Sequence, residues 1–310
     1  MNNKQVRKLV AKLVDLPPNI ATPSYFREHI DKLASRYKNT VNVLNIDTEH
    51  PLIRAVDKSE SAPSVIVITN NPHSSDIDIA LVGKGVTFDT GGHDLKTSKM
   101  WEMKSDKAGA MAVLGTLEYI LSNNIKVNVV AVLPFVQNLI GPEATLPGSV
   151  IKSLSGKNVE IRDTDAEGRL ILADSLTTAL TFDPREIITI ATLTGACAFA
   201  LGDKFIGVFQ NKEEASINSF NEIDIGKDRL IRVSALPGKT LIDKQKGNLL
   251  NYIGKELSGS YAAAFLQRFV PDDVPYTHFD IAGPAFIDAK ATGAGIDVLI
   301  HHVLHHSKGR

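Results

Sequence analysis

The sequence predicts an α/β fold in which a central, mostly parallel β-sheet carries helices on both faces, an α/β/α sandwich. Three observations point there. Short apolar runs of strand length alternate along the chain with longer runs of helical period. The two densest groups of charged and glycine residues each follow an apolar, strand-like run, where open α/β sheets gather their ligands. A chain of 310 residues with 43% apolar content can also bury roughly three quarters of its unfolded surface, enough for one sizeable core.

The elements follow in order. Residues 1–60 read as a lead-in to a single domain spanning 1–310. Residues 64–69, Ser-Val-Ile-Val-Ile-Thr, are rich in β-branched side chains and form the first strand. A second strand at 77–82 runs into a glycine-rich loop, and a helix at 108–122 leads to a strand at 126–133. A helix at 170–181 precedes a strand at 186–192, and the chain closes with a helix at 261–269, a strand at 276–281 and a helix at 295–305.

Chemistry concentrates in Asp163-Thr-Asp-Ala-Glu-Gly-Arg-Leu170, three carboxylates and a guanidinium within eight residues. An extended backbone would project Asp163, Asp165 and Glu167 from one side, with Thr164 and Ala166 on the other. Such close like charges repel unless a cation lies among them, and converging oxygen donors suit a divalent metal. Gly168 lets the chain turn tightly into the next helix.

Leu81-Val-Gly-Lys-Gly-Val-Thr-Phe-Asp-Thr-Gly-Gly92 supplies the complement, followed by Lys96 and by Lys104-Ser-Asp106. Across both groups Lys84, Asp89, Asp106, Asp165 and Glu167 are candidate ligands, while Lys96 and Arg169 remain as cations for chemistry. Four carboxylates and an amine suit two ions better than one, and ions roughly 3.5–4 Å apart activate a water while polarising a carbonyl or phosphoryl oxygen. A phosphate-cradling loop is the competing reading of the glycines, but neither Gly-Lys-Ser/Thr at the needed spacing nor a dinucleotide fingerprint is present.

With VGKGVTFDTGG and DTDAEGRL in this order, the chain resembles the leucyl aminopeptidase family of two-metal exopeptidases, also called cytosol aminopeptidases. Leu16-Pro-Pro-Asn-Ile-Ala-Thr-Pro23, Ala191-Thr-Leu-Thr-Gly-Ala196 and His278-Phe-Asp-Ile-Ala-Gly283 extend the likeness over nearly the whole chain. Asn138-Leu-Ile-Gly and Ala291-Thr-Gly-Ala-Gly295 look closest to its bacterial peptidase B branch.

The resemblance implies a zinc-exopeptidase-like fold, two Zn or Mn ions and hydrolysis of N-terminal residues from peptides with a free N-terminus. It makes Lys84, Asp89, Asp106, Asp165 and Glu167 the metal ligands. Lys96 polarises the scissile carbonyl, and Arg169 holds a bicarbonate that serves as general base. Lys84 would bind metal only as a neutral amine, its pKa lowered by the dications, while Lys96 stays charged to stabilise the developing oxyanion. The first side-chain pocket would be lined by Met103, Thr192, Gly195, Ala282 and Ala285, with backbone groups from Leu193 and Thr194, a mostly apolar lining suited to Leu- or Met-like residues. The resemblance also implies a homohexamer and a cytoplasmic enzyme. Members carry a further N-terminal domain ahead of the Leu-Pro-x-Asn segment, which here begins at Leu16, so the expectation is a catalytic domain alone.

Two departures stand out. Lys107 adds a positive charge beside Asp106, expected to weaken metal affinity, and Asp163 replaces the usual asparagine, a charge that would offset Lys107 if the two are close. A second reading is therefore a catalytically silent member with a metal-binding or scaffolding role. His93 reads as an ordinary loop histidine, and the histidines at 301, 302, 305 and 306 as a solvated helix end able to capture Zn or Ni.

Other classes lack support. Net charge is −1 and no basic stripe with aromatics is present, which argues against nucleic acid. No run approaches a membrane span, and Lys12 interrupts the only apolar run near the start. The single cysteine, Cys197, excludes an internal disulfide framework, suits a reducing compartment and reads as a packed thiol.

Overall fold

Val- and Ile-rich strands that alternate two apolar faces require cover on both sides, and the computed structural model supplies it. It describes all residues except 39, 46–48, 61–63, 72–73, 213–224 and 308–310. Among the described residues, those of the first sixty contribute to the core. They form α1 (Asn3–Asp15), α2 (Pro23–Arg36), β1 (Asn42–Asn45) and α3 (Pro51–Val56). Helix α1 opens with a capping box between Asn2 and Gln5 and buries Val6, Val10, Leu13 and Val14 along one stripe. Thr22 caps α2, with Pro23 in its first turn.

Strands β2 (Ser64–Thr69), β3 (Ile79–Gly83) and β4 (Gly85–Asp89) lead through a 3-10 turn (Met100–Lys107) into α4 (Ala108–Ser122), β5 (Val129–Asn138), the hairpin β6 (Ser149–Lys152) and β7 (Asn158–Ile161), and α5 (Gly168–Leu180). Next come β8 (Ile187–Ala191), α6 (Gly195–Leu201), β9 (Phe205–Gln210), β10 (Arg229–Arg232), α7 (Leu236–Asp243), β11 (Leu249–Leu250) and α8 (Ser258–Gln267). The described chain ends with β12 (Tyr276–Asp280), the small pair β13 (Phe286–Ile287) and β14 (Lys290–Ala291), and α9 (Ile296–Ser307).

Among the described residues the main sheet has the order β1-β2-β5-β3-β8-β12-β9-β10, with β4 also on β5. Its centre is parallel: β3 pairs with β5 and β8, and β8 with β12. The β1–β2, β2–β5 and β12–β9 pairs are antiparallel. Alternation sorts the core into two layers. Ile68, Leu81, Ala131, Ile188 and Phe279 pack with α1, α2, α4 and α9, whereas Val67, Val82, Val132, Ile187 and Tyr276 pack with α3, α5 and α8. This is the α/β/α sandwich expected.

One reading changes. Part of the glycine-rich stretch is strand: β4 pairs parallel with β5, with a register shift between Val86 and Phe88, and brings Asp89 opposite Asn138. Strand β5 continues past the expected end at 133 through Pro134. Among the described residues, no helix is long and apolar enough to cross a membrane.

Candidate metal centre

Lys84 sits between β3 and β4 and is buried with its ammonium. Its Nζ lies 2.6 Å from Asp106 Oδ1, 2.8 Å from Glu167 Oε1 and 2.8 Å from the carbonyl of Thr192. Asp106 arrives from the 3-10 turn, Glu167 from the residue before α5 and Thr192 from the end of β8, so three segments meet on one amine. The Thr192 hydroxyl donates to Asp106 Oδ1 at 2.8 Å.

Asp89 ends β4, and its Oδ1 accepts from Asn138 Nδ2 at 2.7 Å and from the Gly91 N–H at 2.8 Å. Gly91 and Gly92 hold φ of 90° and 66°, which favour glycine and fold the loop back over the strand end. The loop returns Lys96, whose Nζ lies 2.8 Å from Asp89 Oδ2 and also pairs with Asp165. Donor oxygens of Asp89, Asp165 and Glu167 all lie within 4.8 Å of one another.

The acidic octapeptide is not extended. Asp163 Oδ1 accepts from the Asp165 N–H at 2.8 Å, so the segment turns on its own first carboxylate. Asp163 is consumed in that turn, leaving Asp165 and Glu167 with Asp89. Thr164, expected to face away, joins the two motif loops: its hydroxyl donates to the Gly91 carbonyl at 2.6 Å and accepts from the Asp94 N–H at 2.9 Å. Its own N–H donates to Asp94 Oδ2 at 2.8 Å. Asn138 closes the clasp by donating to the Thr164 carbonyl at 3.0 Å.

Gly168 serves a close approach instead of a turn. Its φ is not positive, and a Cβ there would lie 2.6 Å from Lys84 Cε. Arg169 is buried, its NH1 donates to the Asn251 carbonyl at 2.6 Å, and its Nε has no hydrogen-bond partner. Asn251, fully buried, accepts from the Arg162 N–H at 2.8 Å and donates to the Asp163 carbonyl at 2.7 Å. Sequence reasoning passed over Asn138, Thr164 and Asn251. The first two are polar residues inside recognised motifs, a usable signal, whereas Asn251 comes from a remote segment with none.

Crowding sets the electrostatics. Burial pushes the Asp165 carboxyl up to about 8, with repulsion from Glu167 and Asp89 added. Burial likewise raises Asp106 to about 7 and lifts Asp89. Burial acts upward on Glu167 too, but Lys84 and Lys96 outweigh it and hold it below its ordinary value. Burial would lower both lysines; Asp106 and Glu167 overcome this at Lys84, and Asp89 and Glu167 at Lys96, so both are held above the ordinary lysine value. The expected depression at Lys84 is therefore not a property of the chain by itself.

The donor set fits divalent cations. Four carboxyl groups face two ammonium groups in a buried space, and the crowding that raises Asp106 and Asp165 leaves them holding protons that a divalent cation would displace. Asp106 Oδ2 is buried without any hydrogen-bond partner, an acceptor-only oxygen that a hard cation satisfies.

Lys107 gives its hydrogen bonds to backbone carbonyls, while Asp106 attracts its charge as a lesser effect. Its Nζ donates to the carbonyls of Lys104 at 2.6 Å and Leu16 at 3.4 Å, so the amine ties the 3-10 turn to the start of the Leu-Pro-Pro-Asn segment. Burial, then Lys104, lowers it to about 7. Asp163, bound up in its turn, does not pair with it.

Beside the cluster, Asp280 at the end of β12 organises two loops. Its Oδ1 accepts from the N–H groups of Leu193 at 3.2 Å and Ala282 at 3.1 Å, and its Oδ2 from the Thr194 hydroxyl at 2.7 Å. Met103 lies in the 3-10 turn with Asp106, and Gly195 opens α6 with free space where a Cβ would point. Ala285 is buried within the larger apolar cluster. His93 is half-buried and outside the donor cluster. Cys197 is buried, and burial pushes its thiol up. The terminal histidines are not uniformly solvated: His302 is 1% exposed and faces Glu186, His301 and His306 are half-buried, and His305 is exposed.

The profile described as "Cytosol aminopeptidase family, catalytic domain" matches residues 8–300. A protein of Syntrophotalea carbinolica named "Probable cytosol aminopeptidase" is 41% identical over 94% of this chain and 62% of its own length. The chain thus spans about three fifths of the curated relatives it matches. Among solved structures, the bottromycin maturation enzyme BotP in complex with Mn superposes with a TM-score of 0.90 at 29% identity, over 98% of this chain and 70% of that one. A mutant tomato leucine aminopeptidase gives 0.88 at 31% identity, over 98% and 61%. With residues 8–300 matched and that identity across nearly its whole length, the chain belongs to the cytosol aminopeptidase family and corresponds to its catalytic domain.

Proposed function

We propose that the chain is a metal-dependent aminopeptidase that removes N-terminal residues from peptides with a free N-terminus. The observation that carries this is the convergence of Asp89, Asp106, Asp165 and Glu167 on Lys84 and Lys96 where β4 and β8 end. Lys84, Asp89, Asp106, Asp165 and Glu167 would hold two divalent ions, Zn or Mn; the oxygen-rich donor set and a neighbour solved in complex with Mn support that choice. Such ions, when bound, acidify a water and polarise a carbonyl.

The chain's own residues supply the rest. Lys84 must give up its proton to donate a lone pair, which its carboxylate neighbours oppose until cations neutralise them. Lys96, held protonated, would donate to the scissile carbonyl oxygen as negative charge develops there. Arg169 would hold a bicarbonate general base, a role supported by its buried guanidinium with an unpartnered Nε. Met103, Thr192, Gly195, Ala282 and Ala285 would line the pocket for the first side chain, and Leu193 and Thr194 would offer backbone groups. Their apolar character favours Leu- or Met-like residues. Assembly as a homohexamer and a cytoplasmic location complete the reading, the latter supported by the names of the relatives.

The test is hydrolysis of aminoacyl-p-nitroanilides and short peptides by protein loaded with Mn or Zn, with and without bicarbonate, against an EDTA-stripped control. Metal-dependent release of single N-terminal residues is expected. No turnover by folded, metal-loaded protein would overturn the reading.

A further inference from the structure

At the opposite end of β8 from the candidate centre, a second group of donors converges. Glu186 immediately precedes β8, while Thr192 follows it, so at 3.3 Å per residue the two ends lie roughly 20 Å apart. Helix α9 places His302 and His306 at i and i+4 on one face, the spacing by which a helix offers two imidazoles to one ion. Each presents Nε2 to the same atom, Glu186 Oε2, at 3.1 Å.

We propose that Glu186, His302 and His306 form a binding site for one Zn-like divalent cation, separate from the candidate centre. With Zn–N and Zn–O bonds of about 2.0–2.1 Å, adjacent vertices of a tetrahedron lie about 3.3 Å apart. The two observed Nε2 to Oε2 separations of 3.1 Å need little adjustment to meet that figure, and donor atoms of all three residues lie within 4.8 Å of one another. Two imidazoles and one carboxylate select a borderline ion over the hard cations that an all-oxygen shell favours. The site is also built: the side chains of Glu186 and His302 are 4% and 1% exposed. His306, 21% exposed, leaves one side open for a solvent ligand.

Occupancy would fasten the last helix to the start of β8. Binding requires a lone pair on each Nε2, so each ring must carry its proton on Nδ1 or lose it. His305 packs edge-on against His306 at 6.1 Å but is outside the donor group.

The experiment uses the full chain, metal-stripped and then equilibrated with Zn alone, in wild type and in an Asp165→Asn/Glu167→Gln background that disables the candidate centre. Bound Zn is counted per chain, and the Co-substituted protein is examined for ligand-field absorption. One ion per chain is expected to survive in the double variant and to vanish on adding His306→Gln, a change at a half-exposed position that leaves buried His302 in place. Zn should raise the melting temperature of the double variant and not of the triple. If the double variant does not fold, loss of one ion per chain from wild type on His306→Gln is the equivalent readout. Zn binding that is unchanged by His306→Gln, or absent from the folded double variant, would show that the three residues form only a hydrogen-bonded network.

Discussion

A Cβ built on residue 168 lies 2.6 Å from Cε of Lys84, so the first residue of α5 and the amine between β3 and β4 share one space. Gly168→Ala would leave the helix intact, since alanine favours it, and push aside the flexible end of Lys84. We expect a change in melting temperature of under about 3 °C, with divalent-metal affinity weakened about 10- to 100-fold, the range for disturbing a ligand's support. Calorimetric metal titration checks it; unaltered affinity would separate Lys84 from the metals.

Glu167→Gln removes a carboxylate that is 2.8 Å from Lys84 Nζ and shares the donor cluster with Asp89 and Asp165. Bound metal and peptide hydrolysis should fall together, turnover by at least about 100-fold. Metal analysis beside steady-state rates reads both, and full metal with full activity would contradict the ligand assignment.

Lys107→Met should change metal stoichiometry little and kcat/KM by no more than about twofold, under about 0.5 kcal/mol. Its amine is engaged with the carbonyls of Lys104 and Leu16, and burial lowers it to about 7, which limits the charge it presents to Asp106. A tenfold gain in metal affinity would mean that its charge competes with the cation for Asp106.

Asp174, in α5, receives the N–H of Leu52 at 2.8 Å on Oδ2 and that of Leu154 at 2.9 Å on Oδ1. Asp174→Ala leaves both donors unpaired and should cost about 2–4 kcal/mol in urea unfolding. A loss below about 1 kcal/mol would show that water replaces the carboxylate.

His278 is fully buried, its Nδ1 is 2.8 Å from Thr189 Oγ1, and burial followed by the Arg169 charge lowers it to about 3. The unfolded chain takes up the proton near pH 6.5 and the folded chain does not, so stability is fully present above that value and declines as pH falls toward 3. The slope is about 1.4 kcal/mol per pH unit in this window. Unfolding free energies at pH 4.5 and 6 should differ correspondingly less in His278→Asn; equal slopes would remove His278 as the cause.

Alternation of apolar runs made the sheet legible: the strand at 64–69 and the helix at 108–122 lie where they were expected. Residues 1–60 were not, because α1 and α2 earn their place through tertiary packing of narrow apolar stripes against α4 and the sheet, a contact no local pattern declares. The carboxylates were legible as types in a pattern. Their backbone was not, since the Asp163 side chain captures the Asp165 N–H and replaces strand alternation with a turn. The direction of Lys107 was hidden for a related reason, because its partner carbonyl at Leu16 is 91 residues away.

The clasp at Thr164 makes the cluster a checkpoint on folding. Its contacts to Gly91 and Asp94 span 73 and 70 residues of sequence, so Asp89 meets Asp165 only after β4, β5 and the acidic turn have all come together. A partly folded chain offers a cation one loop or the other. Any ion that draws on both therefore binds the completed fold alone, and by mass action it withdraws finished molecules from the pool still sampling incomplete ones.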